Sequence, residues 1–137
     1  MEQSGSLGRM VIQLPIGSHE DVVEARQQVR GIAAGMGFRL LDQTRIVTAV
    51  SELARNIVVH AGSGVMTVIR PQHRAGLQII FRDHGPGIAE VGRAMQESYS
   101  TAGSLGLGLP GAQRLTDAME IVSAPGAGTT ITITKWL

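Results

Sequence analysis

Four stretches of this chain carry polar residues or glycines at spacings that could do chemistry. In SELARNIVVHA, residues 51–61, Glu52, Asn56 and His60 recur every fourth position, so on a helix they share one stripe. A carboxamide one turn from a carboxylate can hold a divalent cation and leave the carboxylate as a general base. On these residues alone the same stripe reads more simply as a solvated helix face. In DHGPGI, residues 83–88, Asp83 ends an apolar run, with Gly85 and Gly87 following. That is a carboxylate able to accept from a ligand amine beside glycines that leave room for a flat ring, or a strand-ending turn. GLGLPG, residues 106–111, precedes an amphipathic run, so Gly106 and Gly108 could bring backbone N–H groups to an anion at a helix start. GAGTT, residues 126–130, reads alone as a hairpin turn.

GLGLPG also satisfies G-x-G-x-x-G, but its context excludes a dinucleotide fold. That motif must follow a strand, and an acidic residue must come about 20 positions later to hold a ribose. The preceding SYSTAGSL is no strand pattern, and no Asp or Glu follows Glu120. What remains is either a phosphate-binding helix start or a plain flexible loop with a glycine at the helix start. Composition narrows how phosphate could be held. Lys135 is the sole lysine among the 12 basic residues, so a Walker A loop and the lysine strand of the usual protein kinase are both absent.

Elements must position these residues. Met10 to Ile16 reads as a first strand, ended near Pro15. Ser18 reads as a helix N-cap with Asp21 three positions on. Val22, Ala25, Val29, Ile32 and Met36 then recur at helical spacing until GMGF breaks the pattern. Ile46, Val50, Leu53 and Ile57 define a second helix from about Asp42 to Gly62. Val65–Arg70 and Leu77–Arg82 read as strands joined by a hairpin-like PQHRAG. Residues 83–105 are rich in Gly, Ser and small side chains, a loop length that is usually either functional or disordered, with room for a short helix near 90–96. A third helix is expected over about Leu107 to Ala118, then strands over Glu120–Ala124 and Thr129–Lys135. The order predicts an α/β fold: a two-layer α/β sandwich, a mixed sheet with helices on one face, in a single domain over 1–137.

Bulk properties exclude other classes. The chain is 43% hydrophobic but only 3% aromatic, so it buries an aliphatic core. It has no cysteine, which excludes disulfides and thiolate metal sites. The formal charge of +1 with no basic run argues against a nucleic-acid partner. No apolar run reaches the length of a membrane span, and the N-terminus is polar, so a soluble cytoplasmic domain is expected.

Taken together and in this order, E-x-x-x-N, D-x-G-x-G, G-x-G and G-x-G-T resemble the ATP site of the GHKL superfamily of gyrase, Hsp90, histidine kinases and MutL. The order of elements resembles that superfamily's Bergerat fold over essentially the whole chain. No helix with a phospho-acceptor histidine precedes the domain and no transducer domain follows. The chain therefore looks most like the free-standing anti-sigma-factor serine kinases. SELARNIVVHAG, DHGPGI, YSTAGSLGLGLPGAQRL and the ending KWL look closest to the switch kinases of the bacterial stressosome.

The resemblance implies roles. Glu52 is the general base for the acceptor hydroxyl, and Asn56 ligates Mg2+. Asp83 binds the adenine amino group, with Thr129 assisting through water, and Gly85 and Gly87 shape the adenine pocket. Residues 89–105 form the ATP lid, where Ser100 and Thr101 contact phosphate; Gly106 and Gly108 present N–H groups to the phosphates. The motif assigns no role to Arg55 or His60, and Arg93 and Arg114 are both candidates for the γ-phosphate. The implied activity is a protein serine/threonine kinase using ATP and Mg2+. Its implied substrates are STAS-domain scaffold proteins of the RsbS and RsbR type, and a PP2C-type phosphatase is the implied downstream partner. The alternative is a non-catalytic, ATP-dependent binding module that sequesters its partner.

Overall fold

The computed structural model describes residues 8–88, 95 and 108–137. The first described element is β1 (Arg9–Ile16), which among the described residues pairs only with β2. Pro15 is tolerated there because an edge strand leaves one side of its backbone without a ladder partner. Helix α1 (His19–Met36) starts at a reciprocal cap. The Ser18 hydroxyl accepts from the Asp21 N–H at 3.2 Å, and the Asp21 carboxylate accepts from the Gly17 N–H at 2.9 Å. Gly37, in the left-handed region, ends the helix. Removing the cap hydroxyl with Ser18→Ala should cost about 1 kcal/mol. The midpoint of thermal unfolding followed by circular dichroism should drop by a few degrees; an unmoved midpoint would mean the cap is idle.

Helix α2 (Leu40–Asn56) is followed directly by a π-helical turn over Ile57–Ala61. The Gly62 N–H closes it by donating to the Ile57 carbonyl at 2.7 Å. The sequence pattern predicts one uninterrupted α-helix here. The wider turn departs from it while keeping Ile57 buried beneath the helix end. At the other end of α2, Arg45 donates to Asp42 at 2.9 Å, and Lys135 lies 3.7 Å from the same carboxylate. The Arg45 hydrogen bond, aided by Lys135, holds the Asp42 carboxyl below its usual range. This ties the start of α2 to the end of the sheet.

Strands β2 (Gly64–Arg70) and β3 (Gly76–Asp83) form a hairpin, and α3 (Leu109–Arg114), β4 (Ala118–Ser123) and β5 (Thr129–Trp136) complete the order. The sheet runs β1-β2-β3-β5-β4, and every neighbouring pair is antiparallel. The mixed sheet expected from sequence is therefore corrected. β3 and β4 do point the same way, as a strand–helix–strand crossover requires, but β5 inserts between them and removes the one parallel pairing. The third helix is also shorter than the sequence pattern suggests. The Thr116 hydroxyl donates back to the Ala112 carbonyl at 3.1 Å, and the Asp117 N–H donates to the Thr134 carbonyl at 2.9 Å, so the chain has already entered the sheet.

One face of the sheet is apolar and helix-covered. Leu77, Ile79 and Phe81 of β3, Ile131 and Ile133 of β5, and Met66 and Val68 of β2 point into it. They meet Val22, Ala25 and Val29 of α1 and Ile46, Val50 and Leu53 of α2, the stripes that the periodicity predicts. Burial on this scale is the main favourable term holding the two layers together.

Candidate functional site

The apolar face of the sheet ends in a polar row. Continuing the inward-facing alternation by one step gives Asp83 after Phe81, Thr129 before Ile131, and Ser123 after Ile121. Strand register sets Asp83 opposite both Gly64 and Thr129, and Thr129 opposite Ser123. These side chains thus stand side by side on the helix-covered face, beneath the π-helical turn. Gly64 ends the row without a side chain, because a Cβ there would overlap the Arg82 carbonyl oxygen and crowd Ile57 of the π-helical turn.

Asp83 is half-buried, and one of its carboxylate oxygens accepts from the Gly85 N–H at 2.8 Å. Gly85 lies against the π-helical turn; a side chain there would reach within 2.6 Å of the Ala61 Cβ. The following residues are stitched to the β4–β5 turn. The Gly126 N–H donates to the Pro86 carbonyl at 2.7 Å, and the Ile88 N–H donates to the Ser123 hydroxyl at 2.8 Å. Gly87 has φ 79°, and a Cβ on it would overlap the Ala124 carbonyl oxygen. A Cβ on Gly128, at φ 80°, would overlap the Asp83 carbonyl oxygen. Both positions combine left-handed backbone with contact against another backbone, which glycine alone accommodates. The turn over 126–130, a plain hairpin by sequence, is thus one wall of the site.

A second group of residues gathers at the head of α3. Glu52, half-buried on α2, lies against Gly108, the N-cap of α3; a Cβ on Gly108 would overlap the Glu52 carboxylate oxygen and stand 3.1 Å from its Cδ. Asn56 follows one turn after Glu52 on α2 and is also half-buried. Glu52 and Gly108 are therefore in contact, with Asn56 one turn further along α2, while Asp83, Gly85, Gly87 and Thr129 gather at another place. The Ala61–Gly85 contact links the two through the π-helical turn.

His60 and Arg55 are exposed on the same stretch of chain, and Arg114 is exposed at the end of α3. Ser100, Thr101, Gly106 and Arg93, with the proposed lid over 89–105 other than Met95, lie outside the described residues; Met95 packs against the core. Sequence reasoning missed Ser123. The available signal was a hydroxyl at an inward-facing position of a strand whose other inward residues, Met119 and Ile121, are apolar.

The donor set suits a purine nucleotide with its metal. Asp83 keeps one carboxylate oxygen beyond its bond to Gly85, Thr129 brings a hydroxyl into a buried position, and the glycine backbones press together where side chains would fill the space. The Asn56 carboxamide supplies a hard oxygen of the kind Mg2+ takes, and among the described residues no group of three His, Cys, Asp or Glu side chains offers a full protein cage.

Residues 41–137 match the family described as histidine kinase-, DNA gyrase B-, and HSP90-like ATPase. The chain is 46% identical over 119 residues to the serine/threonine-protein kinase RsbT of Bacillus subtilis, covering 85% of this chain and 90% of that protein. It is 31% identical over 121 residues to the anti-sigma F factor of Caldanaerobacter subterraneus subsp. tengcongensis, covering 82% of this chain and 83% of that protein. Among solved structures, the RsbU and RsbW domains of a Mycobacterium tuberculosis protein superpose with a TM-score of 0.62 at 21% identity. That match covers 93% of this chain but 33% of the other. The histidine kinase domain of a blue-light activated kinase from Erythrobacter litoralis superposes with a TM-score of 0.56 at 20% identity, covering 90% of this chain and 61% of that one. Both show the shared fold. Among the described residues, no helix is long and apolar enough to cross a membrane. The chain thus belongs to the histidine kinase-, DNA gyrase B- and HSP90-like ATPase family, and within it to the serine/threonine-protein kinases similar to RsbT.

Proposed function

We propose that the chain transfers the γ-phosphoryl group of Mg2+-ATP to a serine or threonine on STAS-domain scaffold proteins of the RsbS and RsbR type. Once released from them, it activates a downstream partner such as a PP2C-type phosphatase in a bacterial stress response. The observation that carries the catalytic part is the placement of Glu52 against Gly108, one turn from Asn56. A base, a metal-ligating carboxamide and a phosphate-facing backbone then meet at one point, while Asp83 and Thr129 hold the adenine at the other end.

The chemistry follows from that division. Asp83 accepts from the adenine amino group, and Thr129 supports it through water. Ser100, Thr101, Gly106 and Gly108 take the phosphates, with residues 89–105 as the lid. When bound to Asn56, Mg2+ supplies positive charge beside the phosphates. Glu52 takes the proton of the acceptor hydroxyl. The hydroxyl oxygen bonds to the γ-phosphorus, and the bond from that phosphorus to the β–γ bridging oxygen breaks, leaving ADP. Most of the rate enhancement comes from positioning and charge neutralisation, as for phosphoryl transfer generally.

Similarity to the anti-sigma F factor supports a second reading, in which ATP gates the sequestering of a partner without transfer. One experiment separates the two. The purified chain is mixed with γ-labelled Mg2+-ATP and a STAS-domain protein from the same organism. Label on a serine or threonine of that protein is expected. ATP binding with a complex but no label would overturn the kinase reading.

A further inference from the structure

Ser123 makes more hydrogen bonds than its place in a strand end requires, and counting protons there fixes what the neighbouring site can recognise. The Ser123 hydroxyl lies 3.0 Å from the Gly128 carbonyl oxygen, 2.8 Å from the Thr129 hydroxyl and 2.8 Å from the Ile88 N–H. A hydroxyl has one proton and two lone pairs. The Gly128 carbonyl can only accept, so it takes the Ser123 proton. The Ile88 N–H can only donate, so it uses one Ser123 lone pair. The remaining lone pair faces Thr129, whose own proton must therefore point at Ser123. Every bond in the cluster is then satisfied, as a mostly buried polar group requires.

We infer that Ser123 is a positioning residue that locks the Thr129 hydroxyl with its proton turned away from the nucleotide, so the side chains at the base end present acceptors only and select a 6-amino purine over a 6-oxo purine. Thr129 is left with lone pairs alone toward the site. Asp83, its neighbour in register, is a carboxylate with one oxygen already taken by Gly85 and the other an acceptor. Two acceptors side by side suit the two N–H bonds of an exocyclic amine, directly or through a water that donates to Thr129. A 6-oxo purine offers an acceptor there and leaves like facing like. Without Ser123 the Thr129 hydroxyl is free to turn and donate, and the discrimination weakens. The inference rests on the reading of this site as an ATP site.

The test is a ratio. Mg2+-ADP and Mg2+-IDP are titrated against a fluorescent nucleotide bound to the full chain, comparing wild type, Ser123→Ala and Thr129→Val. Wild type is expected to favour ADP, and Ser123→Ala to lower the ADP/IDP preference about tenfold. A purely structural role for Ser123 would weaken both nucleotides together and leave the ratio unchanged, which would overturn the proposal. Thr129→Val nearly preserves shape and removes only the hydroxyl. Its ratio should fall likewise, and it decides the matter if Ser123→Ala does not fold; a wild-type ratio there also overturns the proposal. A wild-type chain that binds neither nucleotide defeats the ATP reading itself, an outcome distinct from an unchanged ratio.

Discussion

Glu52→Gln should lower phosphoryl transfer to a STAS-domain substrate by about 10²- to 10⁴-fold, the usual worth of a positioned general base. Affinity for Mg2+-ATP should be unchanged or slightly tighter. The direction of both effects follows from where Glu52 lies. Gln has the size and shape of Glu, so the contact with Gly108 at the head of α3 survives. What is lost is the ability to take a proton. What is also lost is a negative charge beside the site proposed for the phosphates, and removing like charge does not weaken an anion's binding. A single-turnover measurement with labelled ATP separates the step from binding. Transfer within twofold of wild type would remove Glu52 as the base.

Asp83→Asn should reduce nucleotide affinity by about 100-fold, the worth of a hydrogen bond to a charged group with a mispaired donor added. The Gly85 N–H needs an acceptor at 2.8 Å, so the oxygen of the substituted carboxamide would stay there. Its NH2 group would then face the base and meet the adenine amine donor to donor. The loop itself keeps its bonds to Ser123 and Gly126, so thermal stability should change little. Displacement of a fluorescent nucleotide measures the loss, with thermal unfolding as the control. An affinity within threefold of wild type would remove Asp83 from the base site.

Much of this site could be read in the sequence because its parts are local. Glu52 and Asn56 are one helical turn apart, and Asp83, Gly85 and Gly87 are nearly adjacent, so spacing alone places each set. The core stripes of α1 and α2 were equally plain, since a period of 3.6 against a helix-covered sheet leaves little freedom. What was hidden depends on strand order. Nothing local announces that β5 inserts between β3 and β4, and that insertion makes the sheet antiparallel and sets Asp83 beside Thr129. Ser123 was hidden for the same reason, because its meaning comes from Ile88, Gly128 and Thr129 converging on it. The π-helical turn was hidden because an apolar run such as Ile57-Val58-Val59 fits either helical pitch.

The insertion of β5 also bears on when the protein acquires its ligand during synthesis. The ribosome makes β1 to β3, then α3 and β4, and only after these β5, the strand that brings Thr129 beside Asp83. Until β5 has emerged and slotted between two strands already made, Asp83 has no Thr129 beside it, and β4 has no neighbour to pair with. Such late, long-range pairing is slow to form and leaves sheet edges exposed in the meantime. A nascent chain therefore lacks the proposed Asp83–Thr129 base site until β5 is in place, so a nucleotide that needs both residues can stabilise only a chain in which β5 has already paired.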